Sequence, residues 1–96
     1  MGDWSFLTNH ARVLVCIAHD PGRLRLRDIA ERVGITERSA FAIVADLTDA
    51  GYVVKEKDGR RNRYRIETDV PLPDYGVRKA SVGEVLAVLI DRPPAS

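Results

Sequence analysis

The segment LRLRDIAERVGITERSAFAIVADLTDAGYVVKEKDGRRNRYRI, residues 24–66, decides the fold. Its first half has apolar residues at helical spacing, interrupted at Gly34, and its second half alternates apolar and charged residues around an Asp-Gly pair. Helical spacing, a glycine stop and a turn signal each predict a particular local structure. The segment therefore predicts two helices joined by a tight turn and followed by a β-hairpin.

The two central helices have clear start and stop signals. Residues 28–33 predict the first, and Gly34 follows where a helix end favours a residue that tolerates positive φ. Thr36 is a good N-cap for the second, which is predicted to run to about residue 50. The inward positions of this second helix are predicted at Ala40, Ile43, Val44 and Leu47.

Two alternating stretches, residues 52–57 and 63–68, predict strands joined by the loop DGRRN, residues 58–62. In the second strand Tyr64 and Ile66 alternate with charged residues, so one face is expected to pack while the other meets solvent. Residues 23–26, RLRL, alternate in the same way and predict a further, very short strand.

Helices are also predicted on both sides of this segment. Residues 8–19 form the first, capped by Thr8 and so apolar that we expect it in the middle of the fold. DPG at 20–22 predicts the turn that ends it. Ser81 and Glu84 form a capping box for a last helix with an apolar stripe at Val82, Val85, Leu86, Leu89 and Ile90.

The order of elements predicts an α+β fold, a winged helix-turn-helix. It has a three-helix core, a short strand plus a β-hairpin wing, and an extra C-terminal helix. The length of 96 residues, with 45% hydrophobic and 30% charged residues, suits one small globular domain.

Positive charge is concentrated in the predicted hairpin. Residues 55–65 carry six positive and two negative side chains, whereas the rest of the chain carries nine positive and twelve negative. The net charge of +1 conceals this asymmetry. A basic segment in a nearly neutral chain predicts an anionic partner.

Composition argues against a membrane or secreted protein. The longest apolar run, residues 13–18, is far too short to span a bilayer, and no basic region precedes it as in a signal peptide. Cys16 is the single cysteine, which fits a reducing compartment. The sequence therefore predicts a cytoplasmic protein without membrane contact.

Residues 7–68 resemble the winged-helix core of the MarR/ArsR-like bacterial transcriptional regulators. The resemblance rests on Ala30, Gly34, Ile35 and the stretch DLTDAGYV at 46–53. It implies sequence-specific binding of double-stranded DNA, with the helix at 36–50 in the major groove and the wing at 53–68 on the phosphate backbone or minor groove. We accordingly predict a DNA-binding domain over 1–70 and a proline-punctuated linker with a C-terminal helix, for packing or dimerisation, over 71–96.

The resemblance implies a reading surface on the third helix. Arg38 can bond a guanine bidentately, and Ser39 can donate to a phosphate or a base. Thr36 at the helix start can support a phosphate contact. Phe41 and Ala42 are expected to meet thymine methyl groups.

The wing is expected to supply affinity through Lys57, Arg60, Arg61 and Arg63, because each neutralised phosphate releases counterions. Arg27 stands where related sequences carry a neutral Ser or Thr cap. A positive group there is unfavourable for the helix dipole but suits a nearby phosphate.

The same residues can also be interpreted without any contact to DNA. The wing charges can simply protect an exposed sheet edge, and Arg38 with Phe41 can be ordinary helix surface. A winged helix can also be a protein–protein interaction module that binds no DNA and uses Phe41, Ala42 and Ala45. An enzyme is the weakest reading, since no nucleophile with a base and no phosphate-binding glycine loop is present, and we predict none.

Cys16 and His19 lie three residues apart on a helix, but the paired cysteines of metal-sensing ArsR proteins are missing, so we predict no metal and no cofactor. The last helix can fold back on its own domain or pair with a second chain, helped by Trp4 and Phe6. We favour a homodimer, which would match paired half-sites on DNA. The sequence does not reveal whether a small-molecule effector is sensed.

Overall fold

The computed structural model describes residues 6–72 and 80–90. Its elements, in chain order, are α1 (Asn9–His19), α2 (Leu26–Val33), α3 (Glu37–Asp49), β1 (Val53–Asp58), β2 (Arg61–Ile66) and α4 (Val82–Leu89). Three helices, an antiparallel hairpin and a further helix make a winged helix, which confirms the predicted fold class.

The turn between α2 and α3 follows the sequence signals closely. Gly34 has a φ of 83°, and its N–H donates to the carbonyl of Ala30 at 2.9 Å. Two residues later the Thr36 hydroxyl accepts a hydrogen bond from the Ser39 amide at 3.0 Å and caps α3. A left-handed residue and a side-chain cap so close together turn the chain sharply between the helices.

Helix α2 begins at Leu26, two residues before its predicted start. Arg25 therefore occupies the cap position, and the Asp28 carboxylate accepts from the Arg25 amide at 3.0 Å. An arginine side chain carries no acceptor, so the side-chain hydrogen bond at this end of the helix is the one that Asp28 accepts. The amide hydrogen bond is also the main cause of a lowered pKa for the Asp28 carboxyl.

The hairpin is tighter than predicted. Its register runs from Val53 opposite Ile66 to Asp58 opposite Arg61, so the loop contains only Gly59 and Arg60. Gly59 has a φ of 66°, as the first position of a type II′ turn requires. Residues 61 and 62, predicted to lie in the loop, extend the charged strand instead.

The short strand predicted over residues 23–26 is wrong. Within residues 6–72 the sheet has two strands, and Leu26 already belongs to α2. Gly22 has a φ of 75°, so the backbone leaves the extended conformation immediately before this stretch. Too few extended residues remain between that turn and the helix to form a ladder beside β2.

The core is built around α1, which packs against α2, α3, β2 and α4, as its apolar composition predicted. Val13 and Ile17 are 0% and 1% exposed. Burial of such side chains contributes about 1.5–3 kcal/mol each. Tyr64 of β2 is 6% exposed, which ties the base of the hairpin to this core. No helix in the described ranges is long and apolar enough to cross a membrane.

Helix α4 folds back onto its own domain along one side only. Val82 and Leu86 are buried against the core, and the Val82 amide donates to the Val70 carbonyl at 2.8 Å. On the other side Val88 is 84% exposed. Leu89, which is 39% exposed, lies on the same face of the helix as Val82 and Leu86 and borders α1. Phe6 is also exposed, while Trp4 lies outside the described residues.

Candidate nucleic-acid interface

The outward face of α3 is formed by small and polar side chains. Ala40, Ile43, Val44 and Leu47 are buried, as the spacing predicted. Because a helix turns about 100° per residue, Arg38, Ala42 and Ala45 lie on the line opposite these core positions. All three are exposed. Two alanines on this line leave the helix backbone open to close approach by a ligand surface.

The start of α3 holds a small hydroxyl network. The Thr36 hydroxyl accepts from the Ser39 amide and donates to Ser39 Oγ at 2.9 Å. The hydrogen bond that Thr36 donates to Ser39 therefore uses the proton that a phosphate contact would need. Ser39 Oγ acts as the acceptor in this pair, so its own proton remains available to a partner outside the domain.

Two predicted contact residues, Arg27 in the first turn of α2 and Arg38 in the first turn of α3, are exposed. Neither side chain forms an ion pair with any residue in 6–72 or 80–90. Both guanidinium groups are therefore free to meet an anion.

The hairpin has two different faces, because residues opposite each other in the register share a face. One face carries Glu56 and Asp58 among its arginines: Arg65 Nε lies 3.4 Å from Glu56 Oε1, and Arg63 Nε lies 3.7 Å from Asp58 Oδ2. These pairs neutralise much of the charge on that face.

The other face has no carboxylate. Lys57 lies opposite Asn62, and Lys55 lies opposite Tyr64, on the face that packs against the core at its base. Lys55, Lys57 and the loop residue Arg60 form no ion pair with the rest of the described chain. Most of the uncompensated charge of the wing therefore lies on this face and at the tip.

Arg61 and Arg63, predicted as phosphate contacts, already have partners within the domain. Arg61 Nη2 donates to the Arg23 carbonyl at 3.3 Å, and Arg63 Nε donates to the Gly22 carbonyl at 3.2 Å. Both side chains thus reach from β2 to the connection between α1 and α2.

A crevice of about 380 Å³ separates the wing from the start of α3 and is lined by four of the ten predicted site residues, Arg27, Phe41, Arg60 and Arg61. Phe41, 61% exposed, forms part of its α3 wall, and Arg60 and Arg61 form part of its wing wall. Five cationic side chains and one carboxylate, that of Glu37, line it; the cations are Arg25, Arg27, Lys55, Arg60 and Arg61.

Sequence reasoning missed Arg25 and Lys55 as members of this crevice. Lys55 had a signal, since it shares the period-two face of β1 with Lys57. Arg25 had none, because its position follows from the early start of α2. A further missed contact joins His10 Nε2 to Asp46 Oδ2 at 2.9 Å and directs this α3 carboxylate toward α1.

The possible metal ligands of α1 are placed differently. Cys16 is half-buried, and burial raises the pKa of its thiol, while His19 Nδ1 lies 3.4 Å from the Asp20 carboxylate. Among residues 6–72 and 80–90 no three His, Cys, Asp or Glu side chains form a cluster able to hold a metal ion. Cys16 packs against the core.

A tight helix-turn-helix joined to a hairpin wing, with Glu37 and Phe41 of α3 bordering the crevice beside that wing, defines a winged helix-turn-helix protein. Solved structures agree with this class. A predicted DNA-binding transcriptional regulator from E. coli superposes with a TM-score of 0.65 at 18% identity, over 82% of this chain and 70% of that one. That likeness supports the fold.

The family model described as MarR family matches residues 5–63, more than half of the chain. The chain belongs to the MarR family. The PcaV transcriptional regulator of Streptomyces coelicolor, solved in complex with its natural ligand, is 29% identical with a TM-score of 0.60, covering 85% of this chain and 53% of that one.

A curated relative, an uncharacterized protein of Methanocaldococcus jannaschii, is 30% identical over 60 residues, which are 62% of this chain but only 13% of that protein. The chain thus spans a small part of this relative and about half of PcaV.

Proposed function

We propose that this protein is a cytoplasmic transcriptional regulator that binds double-stranded DNA as a homodimer and catalyses no reaction. The N-terminal half of α3 enters the major groove, and the wing lies on the phosphate backbone or reaches the minor groove. The observation that carries the proposal is the crevice between them, in which cationic side chains border the exposed face of a helix. It is MarR membership, and not the ArsR half of the predicted resemblance, that supports this function.

Within α3, Arg38 bonds a guanine edge and Ser39 donates its free proton to a phosphate or a base. Phe41 and Ala42 contact thymine methyl groups, for which an exposed aromatic ring beside an alanine is suited. Thr36 contributes chiefly by capping the helix, so its backbone rather than its hydroxyl faces the phosphate.

Backbone affinity comes from cations without an intramolecular partner. Lys57 and Arg60 contact phosphates from the wing, with Arg61 and Arg63 flanking them, and Arg27 contacts a phosphate from the start of α2. Each such contact releases counterions and makes binding steeply dependent on salt.

Fluorescence anisotropy of labelled duplex DNA across a salt series tests this function. We expect Lys57→Ala/Arg60→Ala to flatten the slope of log affinity against log salt by about 1.8, the value for two lost phosphate contacts. Arg12→Ala is the matched control, since it removes a positive charge from α1, where Arg12 bonds Asn9. This control should leave the slope unchanged.

Arg38→Ala tests base readout on a duplex selected from a random pool. We expect a loss of about 1–3 kcal/mol on the selected duplex and a much smaller loss on mixed-sequence DNA. Absence of wild-type binding at low salt would refute the proposal. It would favour the interaction-module alternative, for which the exposed Phe41 is the specific observation.

A further inference from the structure

The connection between α1 and α2 lies against β2 without forming a strand. Its one backbone hydrogen bond to the wing runs from the Gly22 N–H to the Tyr64 carbonyl, at 2.9 Å. Beyond Gly22 the chain turns into α2, so the regular ladder that would hold a third strand does not form.

Two arginine side chains take the place of that ladder. Arg63 Nε donates to the Gly22 carbonyl at 3.2 Å, and Arg61 Nη2 donates to the Arg23 carbonyl at 3.3 Å. The two residues are separated by one position in β2 and therefore project from the same face. Together with the Tyr64 carbonyl, which follows Arg63 along the strand, they give β2 three anchors to residues 22 and 23.

The wing needs such anchors because its outer part is not buried in the core. Residues 55–63 are all exposed, and an isolated two-stranded hairpin is marginally stable in water. The connection that receives the arginines is itself held, since the Asp20 carboxylate accepts a hydrogen bond from the Arg32 guanidinium of α2. The anchors thus join the wing to the helix-turn-helix.

We propose that Arg63, assisted by Arg61, is a positioning residue that fixes the wing relative to α2 and α3 and is not itself a phosphate contact. This role rests on the proposed DNA-binding function. It differs from the prediction made from sequence, in which Arg63 belonged to the phosphate-binding set. The nearby Asp58 carboxylate, 3.7 Å from Arg63 Nε, further offsets the charge that a phosphate would attract.

The salt dependence of DNA binding distinguishes the two roles. Arg60→Ala, the matched control at the wing tip, removes a phosphate contact and should flatten the slope by about 0.9. Arg63→Ala should weaken binding roughly tenfold, the factor for one charge-assisted hydrogen bond, with the wild-type slope retained. A slope reduced as in Arg60→Ala would overturn the proposal.

A conservative variant separates geometry from charge. Arg63→Lys keeps the positive charge but lacks the Nε–H that donates to the Gly22 carbonyl. We expect it to bind DNA as weakly as Arg63→Ala. Recovery of wild-type affinity in Arg63→Lys would show that charge alone matters and would overturn the proposal.

Hydrogen exchange in the free protein tests the anchoring role of Arg63 without any DNA. The Gly22 amide, followed by NMR, should exchange faster in Arg63→Ala and in Arg63→Lys, and at the wild-type rate in Arg60→Ala. Unchanged Gly22 exchange in both Arg63 variants would overturn the anchor. If the wild type failed to bind DNA, the proposed function would fall, while this measurement would still decide whether Arg63 holds the wing.

Discussion

Asp20 shows how much of this small fold depends on single side chains. Its carboxylate accepts a hydrogen bond from the Arg32 guanidinium, and His19 Nδ1 lies 3.4 Å away. The hydrogen bond from Arg32 holds the pKa of the Asp20 carboxyl below its ordinary value of 3.8. Asp20 also begins the turn to which the wing is hydrogen-bonded. A change in its charge is therefore expected to affect the wing as well as its own contacts.

A carboxyl with a lowered pKa in the folded state stabilises the protein above its unfolded pKa, and this contribution is lost as the pH falls through the folded value. We therefore expect wild-type stability to decline below about pH 4. Asp20→Asn should lower the free energy of unfolding at pH 7. It should also make this free energy fall less steeply at acid pH, because the titrating group is gone. Urea denaturation between pH 2 and pH 7, about the range in which carboxyl groups titrate, measures both effects.

Asp49→Asn serves as the control for this measurement. Asp49 is exposed at the end of α3 and forms no ion pair with another residue of the described ranges. For Asp49→Asn, the free energy of unfolding plotted against pH should run parallel to that of the wild type. An Asp20→Asn curve parallel to the wild type over the acid range would contradict the role given to Asp20.

At the scale of elements, α4 docks through its first turn. Ser81 and Glu84 cap each other's backbone amides, at 3.2 Å and 2.9 Å, as the sequence predicted. The Gly83 amide donates to the Thr68 carbonyl at 3.0 Å. A Cβ at Gly83 would lie 2.7 Å from Thr68 Cβ and 2.8 Å from that carbonyl oxygen, so only glycine permits this approach.

Gly83→Ala should therefore destabilise the protein, although alanine favours a helix over glycine by about 1 kcal/mol. The added methyl group forces α4 away from Thr68 and exposes Val82 and Leu86, each worth about 1.5–3 kcal/mol when buried. Thermal unfolding should show a lower midpoint, and the α4 amides should exchange faster. A midpoint at or above that of the wild type would contradict the close approach.

At the scale of the whole molecule, the apolar surface is uneven. Val88 projects from the side of α4 that the core leaves uncovered, and Phe41 is exposed on α3. We assign the first patch to the proposed homodimer and the second to DNA. The division of the chain into a DNA-binding part, residues 1–70, and a dimerising part, residues 71–96, stays a proposal of the same kind.

Light scattering after gel filtration tests this assignment. We expect a dimer for the wild type and a monomer for Val88→Glu, because an unpaired charge in an apolar interface is strongly unfavourable. Phe41→Glu is the matched control, since it adds the same charge to an exposed apolar residue elsewhere. This control should remain dimeric. A monomeric wild type, or dissociation by Phe41→Glu, would refute the assignment.

Most of the fold was predictable because its signals are local. Thr8, Thr36 and Ser81 cap the helices they were predicted to cap, and Gly34 adopts the left-handed conformation expected at the end of α2. Caps, positive φ and the spacing of apolar residues act within a few positions, so a sequence displays them directly. The exposed positions of α3 followed from the same spacing, whereas their proposed role in reading DNA followed from the family resemblance.

The wing illustrates where local signals end. The alternation in residues 23–26 matched a strand, but the turn at Gly22 and the early start of α2 left no room for one. The hairpin loop was also shorter than its composition suggested, since arginines and an asparagine suit an exposed strand as well as a loop. Pattern alone does not decide between these states when both are exposed to solvent.

The sequence by itself determined the helices, the turn, the hairpin and the concentration of positive charge that points to DNA. Only the tertiary structure decided which charges remain free. Arg63 meets Gly22 across 41 positions, Arg61 meets Arg23 across 38, and His10 meets Asp46 across 36. Such contacts depend on how whole elements pack, and they leave no periodic trace in the chain. For that reason the tertiary structure separates the arginines proposed to hold the wing from the cations proposed to hold DNA.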